Sequence, residues 1–218
     1  MFLVLVGAPG AGKGTQGDVI VKEFSITRIS TGDLLREEIR KETELGQEVK
    51  SILASGQLVS NDIIMSLVKK EIARHSKNGF VLDGVPRTVA QAEEIDQFLL
   101  ESFGKKMDLV VALGISETKL IKRLSNRFYC KSCNESYNKL YKNPKISGVC
   151  DVCGSHDFIT RSDDNEEVIK ERFKLYESQT LPILSYYKKQ KIVLEINADN
   201  DVKNISEEIV KEVKNILT

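Results

Sequence analysis

Phe2-Leu3-Val4-Leu5-Val6 runs straight into Gly7-Ala8-Pro9-Gly10-Ala11-Gly12-Lys13-Gly14-Thr15, and a helical stretch from Gln16 to Glu23 follows. The apolar run fits a buried strand and is too short to span a bilayer. Strand, glycine-rich loop and helix, in that order, are the context a phosphate-binding loop requires. Its glycines let backbone N–H groups converge on an anion, and the helix N-terminus adds the positive end of its dipole. Lys13 adds a full charge on a mobile stem. One position departs from the general pattern: Gly14 follows the lysine, and Thr15 comes one residue later. The hydroxyl that normally binds Mg²⁺ is thus displaced, so the metal must be held differently, through water and a carboxylate elsewhere.

Working outward, apolar strands alternate with amphipathic helices. Ser25–Ile29 reads as a weak strand. Ser30-Thr31-Gly32-Asp33 reads as a turn in which Thr31 or Asp33 caps a helix from Leu34 to Lys41. Helices follow over Thr43–Ser55, ended by Gly56, and over Asp62–His75. Gly79–Gly84 is a short buried strand ending in the carboxylate of Asp83; a helix over Val89–Glu101, a strand over Met107–Ile115 and a helix over Glu117–Asn126 come next. Arg127–Thr160 changes character and is rich in Cys, Ser, Asn and Gly. Helical periodicity returns at Asn165, breaks near Pro182, and gives way to a strand over Lys191–Ile196 and a closing helix marked by residues from Val202 to Leu217. The pattern predicts an α/β fold with a mainly parallel sheet of about five strands. Ligands of such sheets sit beyond the carboxyl ends of the strands, which gathers Gly7–Thr15, Asp83–Arg87 and the loop after Ile196 around one cleft.

Composition narrows the class. The 218 residues suit one sizeable domain with small insertions, at 41% apolar and 29% charged. Lys+Arg and Asp+Glu number 32 each, a neutral balance that argues against a dedicated nucleic-acid binder. No signal peptide or membrane span is visible, so a cytoplasmic protein is expected.

All four cysteines fall in one stretch. Cys130-x₂-Cys133, a gap of 16 residues and Cys150-x₂-Cys153 give the spacing of a tetrathiolate zinc site. Four thiolates leave no position for water, so such a zinc is structural and ties together a small lobe. Disulfides and unligated thiols are the competing readings. His156 lies close by and reads as a surface residue; neither it nor His75 carries a catalytic pattern.

Arginines recur at loop and helix-edge positions: Arg87 after Asp83-Gly84-Val85-Pro86, Arg123 and Arg127, and Arg161 and Arg172. Each alone reads as a solvated surface charge. Beside a phosphate-binding loop and without a catalytic base, they suggest phosphoryl transfer, which needs donors and Mg²⁺ around the moving group.

Gly7–Gln16, Ile29–Arg36, Gly79–Thr88 and Arg161–Glu167 together resemble adenylate kinase, in order and over essentially the whole chain, in the long-lid bacterial form with a zinc-binding lid. The family's loop also has Gly between Lys and Thr. The resemblance implies a nucleoside-monophosphate-kinase fold with two inserted lobes: a core (1–29, 60–125, 164–218), an AMP-binding insertion (30–59) and a lid (126–163). It implies the reaction Mg·ATP + AMP ⇌ 2 ADP by a monomer. Gly10, Ala11, Gly12, Lys13, Gly14 and Thr15 would hold the ATP phosphates, with Lys13 at the β/γ groups. Arg123 would lie near the adenine and Arg127 on the phosphates, with Ser136, Tyr137 and the backbone of Asn200 also approaching ATP. Thr31, Arg36, Gln57, Leu58 and Val59 would form the AMP pocket. Gly84, Val85, Pro86 and Arg87 would take the α-phosphate, and Gln91 would read the adenine edge. Arg161 and Arg172 would close between the substrates. Asp83, and secondarily Asp33, would hold Mg²⁺ through water. Three positions depart from the family: Val85 for an aromatic residue, Asn138 for His and Phe128 for Arg. The first implies looser AMP selection. A UMP/CMP kinase on the same fold and an ATP-switched zinc-ribbon nucleic-acid-binding protein are the alternatives; Lys131, Lys139, Lys142 and Lys145 with Tyr129, Tyr137 and Tyr141 would supply the latter's surface.

Overall fold

The computed structural model describes residues 1–55, 57–161 and 164–217, the last of them by its backbone alone. Gly56, expected to end a helix, and Ser162 and Asp163, expected to close the lid, lie outside the described residues. The elements run β1 (Phe2–Gly7), α1 (Lys13–Phe24), β2 (Thr27–Ser30), α2 (Thr31–Arg40), α3 (Glu44–Ala54), α4 (Asn61–His75), β3 (Phe80–Asp83), α5 (Val89–Phe103), β4 (Leu109–Gly114) and α6 (Glu117–Ser125). Three short strands follow, β5 (Arg127–Cys130), β6 (Ser136–Asn138) and β7 (Phe158–Ile159). The chain then returns as α7 (Glu166–Leu175), a π-helical turn (Tyr176–Thr180), α8 (Pro182–Lys189), β8 (Val193–Asn197) and α9 (Val202–Leu217).

Among the described residues the main sheet is parallel throughout, in the order β2-β3-β1-β4-β8. β1 sits in the middle because it is apolar on both faces. Phe2, Val4 and Val6 join a core with Phe80, Leu82, Val68, Ile95 and Leu99. Leu3 and Leu5 turn the other way, against Val111, Ile20, Ile205 and Ile209. That period-two split is what a doubly covered strand demands, and each such side chain contributes about 1.5–3 kcal/mol by burial. Register aligns the strand ends. Ser30 pairs with Asp83, Leu5 with Asp83, Gly7 with Leu113 and Gly114 with Asn197, so the carboxyl ends form one edge. The chain leaves β1 on one side to reach β2 and returns to the other side for β4. This switch point lies at the glycine-rich loop.

The expected elements appear with shifted ends. The cap of α2 is Ser30, whose hydroxyl accepts from the Asp33 amide at 3.3 Å; Thr31 and Asp33 lie inside the helix. Thr43 caps α3 and Asn165 caps α7 by the same geometry. Pro182 opens α8 at a position where it has no hydrogen bond to lose, directly after the π-helical turn. Among the described residues no helix is long and apolar enough to cross a membrane.

Candidate active site

The loop after β1 turns on glycine. Gly12 caps α1 with φ +100°, a conformation L side chains rarely adopt, and Gly10 takes φ +88°. The helix starts at Lys13 rather than Gln16, so Lys13, Gly14 and Thr15 form its first turn, whose amides have no partner within the helix. Lys13 Nζ donates to the carbonyls of Gly7 (2.7 Å) and Ala8 (3.1 Å) and arches over the loop. Burial pushes its pKa down to about 8; Asp83 opposes that, while the charges of Arg87, Arg172 and Arg127 add to it. A half-buried cation among three more is a site built for a polyanion.

Two clefts open from this edge. One, of about 570 Å³, is lined by Thr31, Arg36, Gln57, Leu58, Val59 and Gln91 among others. The second, of about 540 Å³, has Lys13 and Gly7 in its wall, with Tyr176 and Thr180 from the π-helical turn. Leu58, Gly84, Arg87 and Arg172 line both, so the two arginines stand at the junction. Arg87 is fixed from several sides. Its Nε donates to the Gly84 carbonyl at 2.8 Å, its amide donates to Gln91 Oε1 at 2.7 Å, and its carbonyl accepts from Thr180 at 3.0 Å. Thr31 donates to the same Gly84 carbonyl at 3.1 Å. Val85 and Pro86 join in a cis peptide bond. The Val85 side chain is wholly buried in the main core and lines neither cleft, so it is not the AMP-pocket wall the sequence suggested.

Arg36 lies over the first cleft with Nη2 2.8 Å from Asp33, while its Nε is buried without a hydrogen-bond partner. Burial pushes the Asp33 pKa up, but Arg36 and Arg28 outweigh it and leave the carboxyl below its ordinary value. Asp33 and Asp83 both face the Arg28 guanidinium. Arg28, on β2, sits 3.3 Å from Asp33 and 3.8 Å from Asp83. Two carboxylates around a shared cation are a donor set that fits a hydrated magnesium ion.

The cysteine lobe is a second small sheet, in the order β6-β5-β7. Each Cys-x₂-Cys pair makes the same turn: Asn134 N–H donates to the Cys130 carbonyl and Gly154 N–H to that of Cys150, both at 2.9 Å. The residue after each pair has positive φ, Asn134 at 60° and Gly154 at 72°. The turns bring all four sulfurs within 4.8 Å of one another, with Cys130–Cys153 and Cys133–Cys150 at 3.5 Å. A tetrahedral zinc–thiolate site needs sulfurs about 3.8 Å apart, so the cluster is compatible with a metal ion. Burial pushes Cys150 up, but the Tyr137 hydroxyl and the amides of Cys153 and Val152 more than offset this and hold it at about 6. His156 stands apart, its ring nitrogen 3.0 Å from the Gly148 carbonyl.

The remaining predicted residues fall around this frame. Arg123 donates to the Ala198 carbonyl at 2.9 Å, beside exposed Asn200. Arg127 pairs with Asp164, Nε to Oδ2 at 2.8 Å, and Arg172 approaches the same carboxylate at 3.6 Å. Arg161 lies 3.6 Å above the Tyr129 ring, with Arg127 5.2 Å from that ring. Tyr137 is buried, and its hydroxyl is engaged between Cys150 and the Asp151 amide; only its backbone is left to meet a ligand. Phe128 stacks on Tyr137 and Asn138 holds the Arg123 carbonyl at 2.8 Å. Sequence reasoning missed Arg28, Asp164 and Thr180, and read Tyr129 only as a surface aromatic rather than as the ring under Arg161. Asp164 sits inside a quoted motif; Arg28 and Thr180 carry no local signal.

Residues 5–192 match the adenylate kinase family model. The chain belongs to the adenylate kinase family. It is 43% identical to an adenylate kinase of Caldicellulosiruptor bescii, over 97% of this chain and 98% of that protein. It is 42% identical to one of Limosilactobacillus reuteri (99% and 100%) and 41% identical to one of Thermosipho africanus (100% and 99%). The five-stranded parallel sheet and its glycine-rich loop are those of the family fold. Adenylate kinase activity, phosphoryl transfer between ATP and AMP giving two ADP, is the function the family supports, and neither alternative gains support beside it.

Proposed function

We propose that the two clefts hold AMP and Mg·ATP head to head, with Arg87 and Arg172 on the phosphoryl group that passes between them. The observation that carries this reading is that both arginines line both clefts. The glycine-rich loop and Lys13 bind the β- and γ-phosphates. Arg123, the backbones of Ser136 and Tyr137, and Asn200 bind the rest of ATP. Thr31, Arg36, Gln57–Val59 and Gln91 hold AMP, and Gly84–Arg87 takes its α-phosphate. Asp83 and Asp33 hold Mg²⁺ through water; the ion supplies charge neutralisation at the phosphates. In-line attack by an AMP phosphate oxygen needs no covalent enzyme intermediate, only positioning and charge.

On this reading residues 30–59 form the AMP-binding insertion and 126–163 the lid, on a core of 1–29, 60–125 and 164–218. The charges of Glu135 and Lys142 reach Asp18 of α1 and that of Arg127 reaches Lys13, so the lobe lies within electrostatic range of the phosphate loop. Closure there excludes water, which would otherwise accept the phosphoryl group. The cysteine cluster holds a structural zinc. The protein works as a cytoplasmic monomer on free nucleotides rather than on nucleic acid. The test is product formation from Mg·ATP with AMP, UMP, CMP, GMP or no acceptor, read by nucleotide chromatography. ADP formed reversibly with AMP is expected. UDP or CDP as the main product, or phosphate released without an acceptor, overturns the reading.

A further inference from the structure

Arg28 lies under the phosphate loop, in space that two glycines leave free. A Cβ on Gly17 would stand 2.8 Å from Arg28 Cδ, and one on Gly14 3.0 Å from Nη1. The guanidinium donates to the Gly14 carbonyl at 3.1 Å. It faces three carboxylates, Asp33 at 3.3 Å, Asp18 at 3.5 Å and Asp83 at 3.8 Å. The Arg28 side chain is 26% exposed and that of Asp83 12%, so water screens their attraction only in part. Asp18 is the most exposed of the three, at 62%.

We propose that Arg28 is a built-in counter-ion that competes with magnesium for the Asp83–Asp33 pair and so sets the protein's magnesium requirement. The inference rests on the assignment of those carboxylates to the ion. Without metal, the guanidinium offsets the repulsion between the two acids and keeps both turned toward the phosphate loop. A hydrated divalent ion must share them with Arg28, and a shared carboxylate attracts it less. The ion is therefore held loosely enough to leave with product. Asp18 pulls the guanidinium away from the pair, so it sets how firmly Arg28 leans on it.

The experiment titrates Mn²⁺, read as free ion by electron paramagnetic resonance, into protein saturated with β,γ-imido-ATP. Arg28→Gln is expected to bind Mn²⁺ about tenfold more tightly, because a full opposing charge is gone. Arg28→Lys keeps the charge and stays within about twofold of the native protein, and Asp18→Asn moves the other way, weakening Mn²⁺ binding severalfold. In turnover, Arg28→Gln lowers the Mg²⁺ concentration for half-maximal rate. Unchanged or weaker Mn²⁺ binding in Arg28→Gln overturns the proposal if Asp83→Asn weakens it. If Asp83→Asn has no effect, the carboxylate assignment falls and the proposal with it. Should Arg28→Gln not fold, tighter or unaltered binding in Asp18→Asn is overturning on its own.

Discussion

Lys13 illustrates how much a single residue's setting decides. The sequence places a cation in the loop, but its proton affinity comes from burial and from arginines distant in the chain. With the folded value near 8 against 10.5 for an ordinary lysine, the unfolded chain holds more protons between those limits, so this residue makes stability rise with pH across that window. Phosphates restore the charged form. ATP binding at pH 8.5 is therefore expected to take up a fraction of a proton, seen as a calorimetric enthalpy that varies with the ionisation enthalpy of the buffer. Lys13→Arg, charged at every pH used, should lose that dependence; if it persists, another group titrates. Arg87 and Arg172 make a second prediction at this scale. Alanine at either should lower kcat by about 10³-fold while circular dichroism melting stays near native, since an arginine on the transferred group is worth that much. Near-native turnover in both would remove them from the phosphoryl path.

At the scale of elements, the lobes depend on close fits that periodicity does not announce. Gly46, in the first turn of α3, packs against the end of α2, and a Cβ there would lie 2.2 Å from the Glu38 carbonyl oxygen. Backbone cannot yield as a side-chain tip can, so Gly46→Ala must separate α2 from α3 at a cost of about 1–3 kcal/mol. Both helices carry the proposed AMP pocket. The expected result is a KM for AMP raised severalfold, with that for ATP nearly unchanged; an equal rise in both would mean a general loss of fold. The cysteine lobe has its own aromatic centre, Phe128, Tyr137 and Phe158, yet its two turns are held together mainly where the sulfurs meet. Cys150→Ser, or chelation, should lower the melting temperature of the lobe and leave the core transition in place, because the clefts' phosphate contacts come from other elements. A variant that loses turnover at full stability would give the metal a role in chemistry instead.

For the whole molecule, what the sequence discloses divides by distance along the chain. The glycine-rich loop, the paired Cys-x₂-Cys turns and the strand ending at Asp83 are local patterns, and each sits where its pattern implies. Arg28, Thr180 and Tyr129 matter through neighbours brought close only by the fold: Arg28 through acids on α1, α2 and β3, Thr180 through a carbonyl 93 residues away, Tyr129 through Arg161. No spacing rule links those positions. Asp164 is the same case with the widest consequence. Its side chain is 4% exposed, and it holds Arg127 at the root of the lobe together with Arg172 of α7. Two guanidinium groups that would repel are joined at one buried carboxylate, and that joint couples the lobe to the core. Removing one member of such a group weakens the compensation of buried charge, which is destabilising locally. Asp164→Asn keeps the shape and removes the charge. Repulsion between the arginines should then lift the lobe from the phosphate loop and admit water. The expected outcome is a higher KM for ATP together with a several-fold rise in phosphate released per ADP formed with AMP present, and in the rate of phosphate release with ATP alone. A lower melting temperature with an unchanged phosphate-to-ADP ratio would reduce Asp164 to a structural tie, since a joint that governs closure cannot loosen without letting water compete for the phosphoryl group.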